Sequence, residues 1–213
     1  MEVNRLIVIA GVSGVGKSYL IDKLKAEYFS ELVEKFKMGD PKVWNYVLAK
    51  HFKRLRQPKI DRLVLHYDLT RSWRRCLKRG YRDDTPLQVF KTAKKIDIMT
   101  LWVAPEILIS RIIKRRQLRE PKKNHCEKKF WWPLQFIPRL KFGKREKRDV
   151  LELYQNPRKL VLLYSEWADF CKQFNSINSH WFYDFTPGIT SQIKPFYREE
   201  LEEKNEAYSH CGI

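Results

Sequence analysis

NRLIVIAGVSGVGKSYLIDKL, residues 4–24, joins a short apolar run to a glycine-rich turn and an amphipathic segment. Arg5–Ala10 predicts a buried β-strand stopped by glycine. Ser18–Phe29 places Leu20, Leu24 and Tyr28 at helical spacing. Between strand and helix, Gly11-Val12-Ser13-Gly14-Val15-Gly16-Lys17-Ser18 fits G-x-x-x-x-G-K-[ST] at every fixed position. Glycines at 11, 14 and 16 let the chain curl so that successive backbone N–H groups face one anion. The helix start adds its positive dipole end, Lys17 reaches the outer phosphates, and the Ser18 hydroxyl is suited to ligate Mg²⁺. Gly11 to Ser18, with Tyr19 after it, is therefore the candidate nucleotide-binding loop.

The surrounding composition favours an anionic ligand. The chain has 213 residues, the size of one domain, and its 43% hydrophobic content is enough for a core. Its formal net charge of +18 concentrates phosphates, sulfates, nucleic acid or acidic lipid at its surface. Lys50–Arg82 carries net +10 and Arg119–Asp149 net +7, so two segments hold most of the excess. The second also contains Pro121, Pro133 and Pro138 and the aromatics Phe130, Trp131, Trp132 and Phe136. We read 119–148 as a basic, aromatic lid or insertion within a single domain spanning 1–213. Packing explains its rings better than base stacking does, and no nucleic-acid-binding motif accompanies them. No apolar run is long enough for a signal-peptide core or a membrane span, so the expectation is a cytoplasmic protein. Cys76, Cys126, Cys171 and Cys211 lack metal-ligand spacing, and His125–Cys126 has no second pair in register.

Strand and helix patterns alternate along the chain, which predicts an α/β fold with a parallel sheet. Leu32–Met38 reads as a strand and Lys42–Leu55 as a helix. Leu63–Tyr67 is a second clear strand ending on Asp68, Thr85–Ile96 a helix, and Ile98–Val103 a third strand. A helix opens at Pro105 and runs towards Arg116. Asp149–Phe174 is helical with a break near Asn156-Pro157, and His180–Phe185 is a last strand. The acidic tail reads as a solvated helix.

The GVSGVGKS loop resembles the Walker A loop of P-loop NTPases, and its place near the start of the chain is similar to that in small P-loop kinases of the shikimate-, nucleoside- and nucleotide-kinase type. The resemblance implies a three-layer α/β/α P-loop NTPase fold whose parallel strands run in the order 2-3-1-4-5, with ATP and Mg²⁺ bound at the loop. It further implies that Asp68, at a strand end beside the loop, holds Mg²⁺ or orients the acceptor; a simple capping aspartate is the alternative. Asp40, after the strand expected at Leu32–Met38, is the corresponding candidate for contacting the acceptor or acting as base. APEILISRIIKRRQLR resembles the strand-4 and lid region of these kinases. Arg111 and Arg115 share one helix face there and would stabilise charge on a transferring phosphoryl group. NKxD, DxxG and LSGGQ motifs are absent, which argues against a signalling GTPase or an ABC cassette.

These features lead us to expect an ATP-dependent phosphotransferase acting on a small, anionic, hydroxyl-bearing acceptor. The catalytic candidates are Lys17, Asp68, Asp40, Arg111 and Arg115, with Ser18 and Asp68 at the metal. The rivals are a sulfotransferase-like protein using a nucleotide sulfate donor, a polynucleotide-kinase-like enzyme and a non-catalytic nucleotide-binding module. The acceptor, the nucleotide base and the oligomeric state stay open.

Overall fold

The computed structural model describes residues 2–26, 30–55, 57–75, 85–119, 150–187, 193–196 and 201. The basic aromatic stretch beyond Arg119, the His125–Cys126 pair and the acidic tail beyond Leu201 lie outside the described residues. A six-stranded sheet forms the centre, in the order β2-β3-β1-β4-β5-β6. The strands are β1 (Glu2–Gly11), β2 (Asn45–Leu48), β3 (Lys59–Asp68), β4 (Ala93–Trp102), β5 (Ile177–Asp184) and β6 (Ile193–Pro195). The first five are parallel, and β6 pairs antiparallel with β5. The α/β class expected from the alternating pattern holds. β1 is central because it is apolar on both faces: Leu6, Ile7, Val8, Ile9 and Ala10 are all fully buried.

Among the described residues, the longer helices that accompany the sheet are α1 (Lys17–Lys25), α2 (Ser30–Lys35), α3 (Pro105–Arg119) and α4 (Pro157–Cys171). Proline opens α3 and α4 at a position where its missing N–H costs nothing, and Asn156 caps α4 by accepting from the Lys159 N–H. The two faces of β3 show where helices lie. Tyr67 stacks on Trp167 of α4 with ring centroids 5.3 Å apart, so the odd-numbered residues meet α4. Asp68 meets Lys17 at the start of α1, and Tyr46, in register with Val64, lies under Lys25 of α1. The even-numbered face therefore meets α1.

Three sequence expectations are corrected. Leu32–Met38 is not a strand: α2 covers Ser30–Lys35, and Leu32 and Phe36 are buried at i, i+4 spacing. Lys42–Leu55 is not a helix but short 3₁₀ turns flanking the four-residue strand β2. Helix structure in Thr85–Ile96 stops after one turn at Gln88 and a 3₁₀ turn at Val89–Lys91, and β4 starts at Ala93. Strand β6 had no sequence signal; three residues ending on proline are tolerated only at a sheet edge.

Candidate active site

The loop after β1 turns at the carboxyl end of the central strand, between β3 and β4. Ligands on open α/β sheets gather at that end, and outside the point where strand order reverses. Gly11 is required by close approach: an added Cβ would lie 2.9 Å from a Val15 side-chain methyl and 3.0 Å from the Leu101 carbonyl oxygen. Gly16, the residue before α1, has φ +117°, a conformation that side chains disfavour.

The loop is held from several sides. Tyr164 of α4 donates to the Leu101 carbonyl at 2.7 Å and accepts from the Val12 N–H at 3.3 Å. Tyr154 donates to the Ser13 carbonyl at 2.6 Å. The Ser13 N–H donates to Thr70 Oγ1 at 2.8 Å, and the Ser13 hydroxyl to Asp68 Oδ2 at 2.7 Å. Arg111 of α3 donates to the carbonyls of Gly14 and Val15 at 3.0 and 3.2 Å. Burial pushes both tyrosine hydroxyls above their ordinary pKa, so both stay neutral donors.

These bonds use the loop's carbonyls and the Val12 and Ser13 N–H groups, and the Val15 N–H donates to the Val12 carbonyl at 3.3 Å. Among the described residues, the N–H groups of Gly14, Gly16, Lys17, Ser18 and Tyr19 have no protein acceptor. Lys17 is buried, and its ammonium donates to the carbonyls of Gly11 and Val12 at 2.7 Å each. Asp68 Oδ2 is 3.7 Å away, so the third ammonium proton remains available. Burial lowers the Lys17 pKa, the Asp68 carboxylate raises it in part, and Arg115 and Arg71 lower it further.

Asp68 is both cap and counter-ion. Its Oδ1 accepts from the Thr70 N–H, the Thr70 hydroxyl and the Arg71 N–H at 2.9, 2.7 and 3.2 Å, while Oδ2 faces Ser13 and Lys17. Burial disfavours its charge, but Lys17, Ser13, Thr70 and the Arg71 N–H outweigh that and hold its pKa below the ordinary carboxylate value. With both oxygens engaged, Asp68 suits a cation held through water better than direct ligation. Ser18 is exposed in the first turn of α1, and its hydroxyl bonds no described residue, which suits a metal ligand. Free N–H groups, a half-satisfied ammonium and a free hydroxyl at one helix start fit a magnesium polyphosphate.

The structure brings Lys17, Ser18, Asp68, Arg111 and Arg115 to one end of the sheet, but it separates Asp40 from them. Asp40 caps a turn leading into β2 by accepting from the Lys42 N–H at 2.8 Å. Its neighbour Gly39 lies against the Arg62 guanidinium, six residues and about 20 Å up β3 from Asp68. It lines a cleft of about 250 Å³ with Ser30, Val33, Gly39 and Pro41 instead. Arg111 braces the loop's carbonyls rather than facing the anion side, while exposed Arg115 lies near enough to influence Lys17 and Arg111. Sequence reasoning missed Thr70, Tyr154 and Tyr164. Thr70 had a local signal, an Asp-x-Thr turn after a strand; the tyrosines had none. No protein-family model matches the chain, and no curated protein matches it.

Proposed function

We propose that the protein is a small P-loop kinase that binds Mg·ATP at Gly11–Ser18 and passes the γ-phosphoryl group to a small, anionic, hydroxyl-bearing acceptor. The observation that carries this reading is the set of five N–H groups with no acceptor among the described residues, gathered around a buried lysine with one donor unused. Backbone N–H groups at a helix start that no described residue pairs converge on one anion, and a polyphosphate satisfies them together. The N–H groups of Gly14 and of Gly16 to Tyr19 would hold the phosphate chain, and Lys17 would place its third proton on an outer phosphate oxygen. Ser18 would hold Mg²⁺, with Asp68 acting on it through water. When bound, Mg²⁺ supplies charge neutralisation across the outer phosphates. Arg115 adds positive charge at the mouth of the loop, and Arg111 keeps the loop's shape.

Titration calorimetry of the protein with ATP and Mg²⁺, beside Lys17→Ala, tests the reading. Magnesium-dependent binding that the substitution weakens about 100-fold, near 3 kcal/mol, is expected. Binding of a nucleotide sulfate donor with no response to Mg·ATP would replace phosphoryl by sulfuryl transfer.

A further inference from the structure

The first turn of α1 carries an aromatic ring that the core does not use. Tyr19 is 59% exposed, and among the described residues no other tyrosine, tryptophan or phenylalanine is as exposed. Its backbone belongs to the loop, because the Tyr19 N–H is the last of the five groups with no acceptor among the described residues. Side chains on a helix lean towards its amino end. From the third residue of α1, the ring therefore projects back over the turn where the loop enters the helix. Lys23, one turn later, leans the same way and sets its ammonium 5.5 Å from the ring centroid. That cation backs the ring from the carboxyl side and leaves most of it in water.

We propose that the Tyr19 ring is the face on which the base of the bound nucleotide stacks. The inference rests on the kinase reading and adds to it where the nucleoside lies. The loop gives a triphosphate a direction. Lys17 sets its ammonium at the Gly11 and Val12 carbonyls, 3.7 Å from Asp68, so the outer phosphates belong at that end. The free N–H groups begin at Gly14, next to that end, and finish at Tyr19 in the helix. The inner phosphate falls at the Tyr19 end of this row, and the ribose and base continue past it, out of the loop. The exposed ring that leans over this exit is that of Tyr19. Stacking on a ring accepts any base, so the contact favours a nucleoside triphosphate over a bare polyphosphate without choosing adenine from guanine.

The test compares Mg·ATP with Mg·tripolyphosphate, which has the phosphate chain but no ribose or base, by titration calorimetry of the full chain. Tyr19→Ala is expected to lower the ratio of the two affinities, ATP over tripolyphosphate, at least about fivefold. Tyr19→Phe keeps the ring and should hold that ratio within about twofold of the wild type. Tyr19→Leu, which keeps bulk and loses the ring, takes the place of the alanine variant if that does not fold. A smaller fall in the ratio, or one that Tyr19→Phe shares, overturns the inference, while the kinase reading stands on the Mg·ATP that the wild type binds. If the wild-type chain binds no Mg·ATP, the kinase reading falls and the inference falls with it.

Discussion

Two cation–carboxylate pairs sit at opposite ends of the central strands, and they differ in what surrounds them. At the amino end, Arg5 of β1 meets Asp97 of β4 at 3.2 Å. Asn178 and Ser179 of β5 complete that carboxylate at 2.8 and 2.7 Å. The Arg5 guanidinium also donates to the carbonyls of Phe36 and Lys37 and lies 5.4 Å from the Trp44 ring centroid. Only its Nε lacks a partner among the described residues. At the carboxyl end, the Asp68 carboxylate is equally well filled, but Lys17 lies among N–H groups with no acceptor among the described residues. A pair whose neighbours are satisfied fastens α2 and the strands; on the proposed reading, a pair set among donors that no described residue pairs is the one that meets an anion.

Breaking the amino-terminal pair separates the two roles most strongly. Asp97→Ala leaves a half-buried guanidinium without its counter-ion and removes the acceptor for Asn178 and Ser179. We expect a loss of about 3 kcal/mol in stability by urea unfolding. Mg·ATP affinity, measured where the variant is folded, should change less than about threefold. That outcome mirrors Lys17→Ala, which acts on affinity. A large affinity loss in Asp97→Ala would mean that the two ends are coupled and that the contrast between them fails.

Acid sharpens the comparison by acting between the ends. His180 lies beside Ile98 in the β4–β5 ladder, and its Nε2 is 2.7 Å from Thr100 Oγ1, which also accepts from Trp167 Nε1 at 3.1 Å. The Thr100 hydroxyl can then donate only to an unprotonated Nε2. Burial pushes the His180 pKa down to about 3, with Lys172 adding to the effect. A folded pKa below the unfolded value of about 6.5 means that the stability is present above that value. It declines as pH falls towards 3. Between pH 7.5 and 5 this one group should remove up to about 2 kcal/mol. Urea midpoints at the two pH values, with His180→Gln as control, measure it; an equal acid loss in the control would assign the effect elsewhere.

The parts legible in sequence were those fixed by short-range rules. The loop follows from glycine and lysine spacing, β1 and β3 from apolar runs, and Asp68 from its position at a strand end. Misreadings arose where local pattern and tertiary role diverge. Leu32 and Phe36 fit a helix as well as a strand, and taking the strand moved Asp40 to the wrong end of the sheet. Edge strand β2 has one neighbour and only four residues, so Val43, Tyr46 and Val47 gave it an accidental helical spacing. Tyr154 and Tyr164 reach the loop across more than 140 residues of chain, a contact that only packing creates.

Those tyrosines offer the finest probe of the contrast, because they act on the loop's shape and not on its charge. Tyr154→Phe removes the donor to the Ser13 carbonyl while keeping the ring that fills its buried site. A single buried hydrogen bond is worth about 1 kcal/mol, so stability should fall by about that amount. If the free N–H groups bind phosphate because the loop is held in place beforehand, the same substitution should also weaken Mg·ATP binding by up to about fivefold. Ser13 connects the two effects: its carbonyl takes Tyr154, its N–H takes Thr70 and its hydroxyl takes Asp68, so loosening one bond disturbs the residue next to the first free N–H at Gly14. A stability loss with unchanged affinity would show that Thr70 and Asp68 alone hold the loop, and that the tyrosine belongs with the fastening pairs.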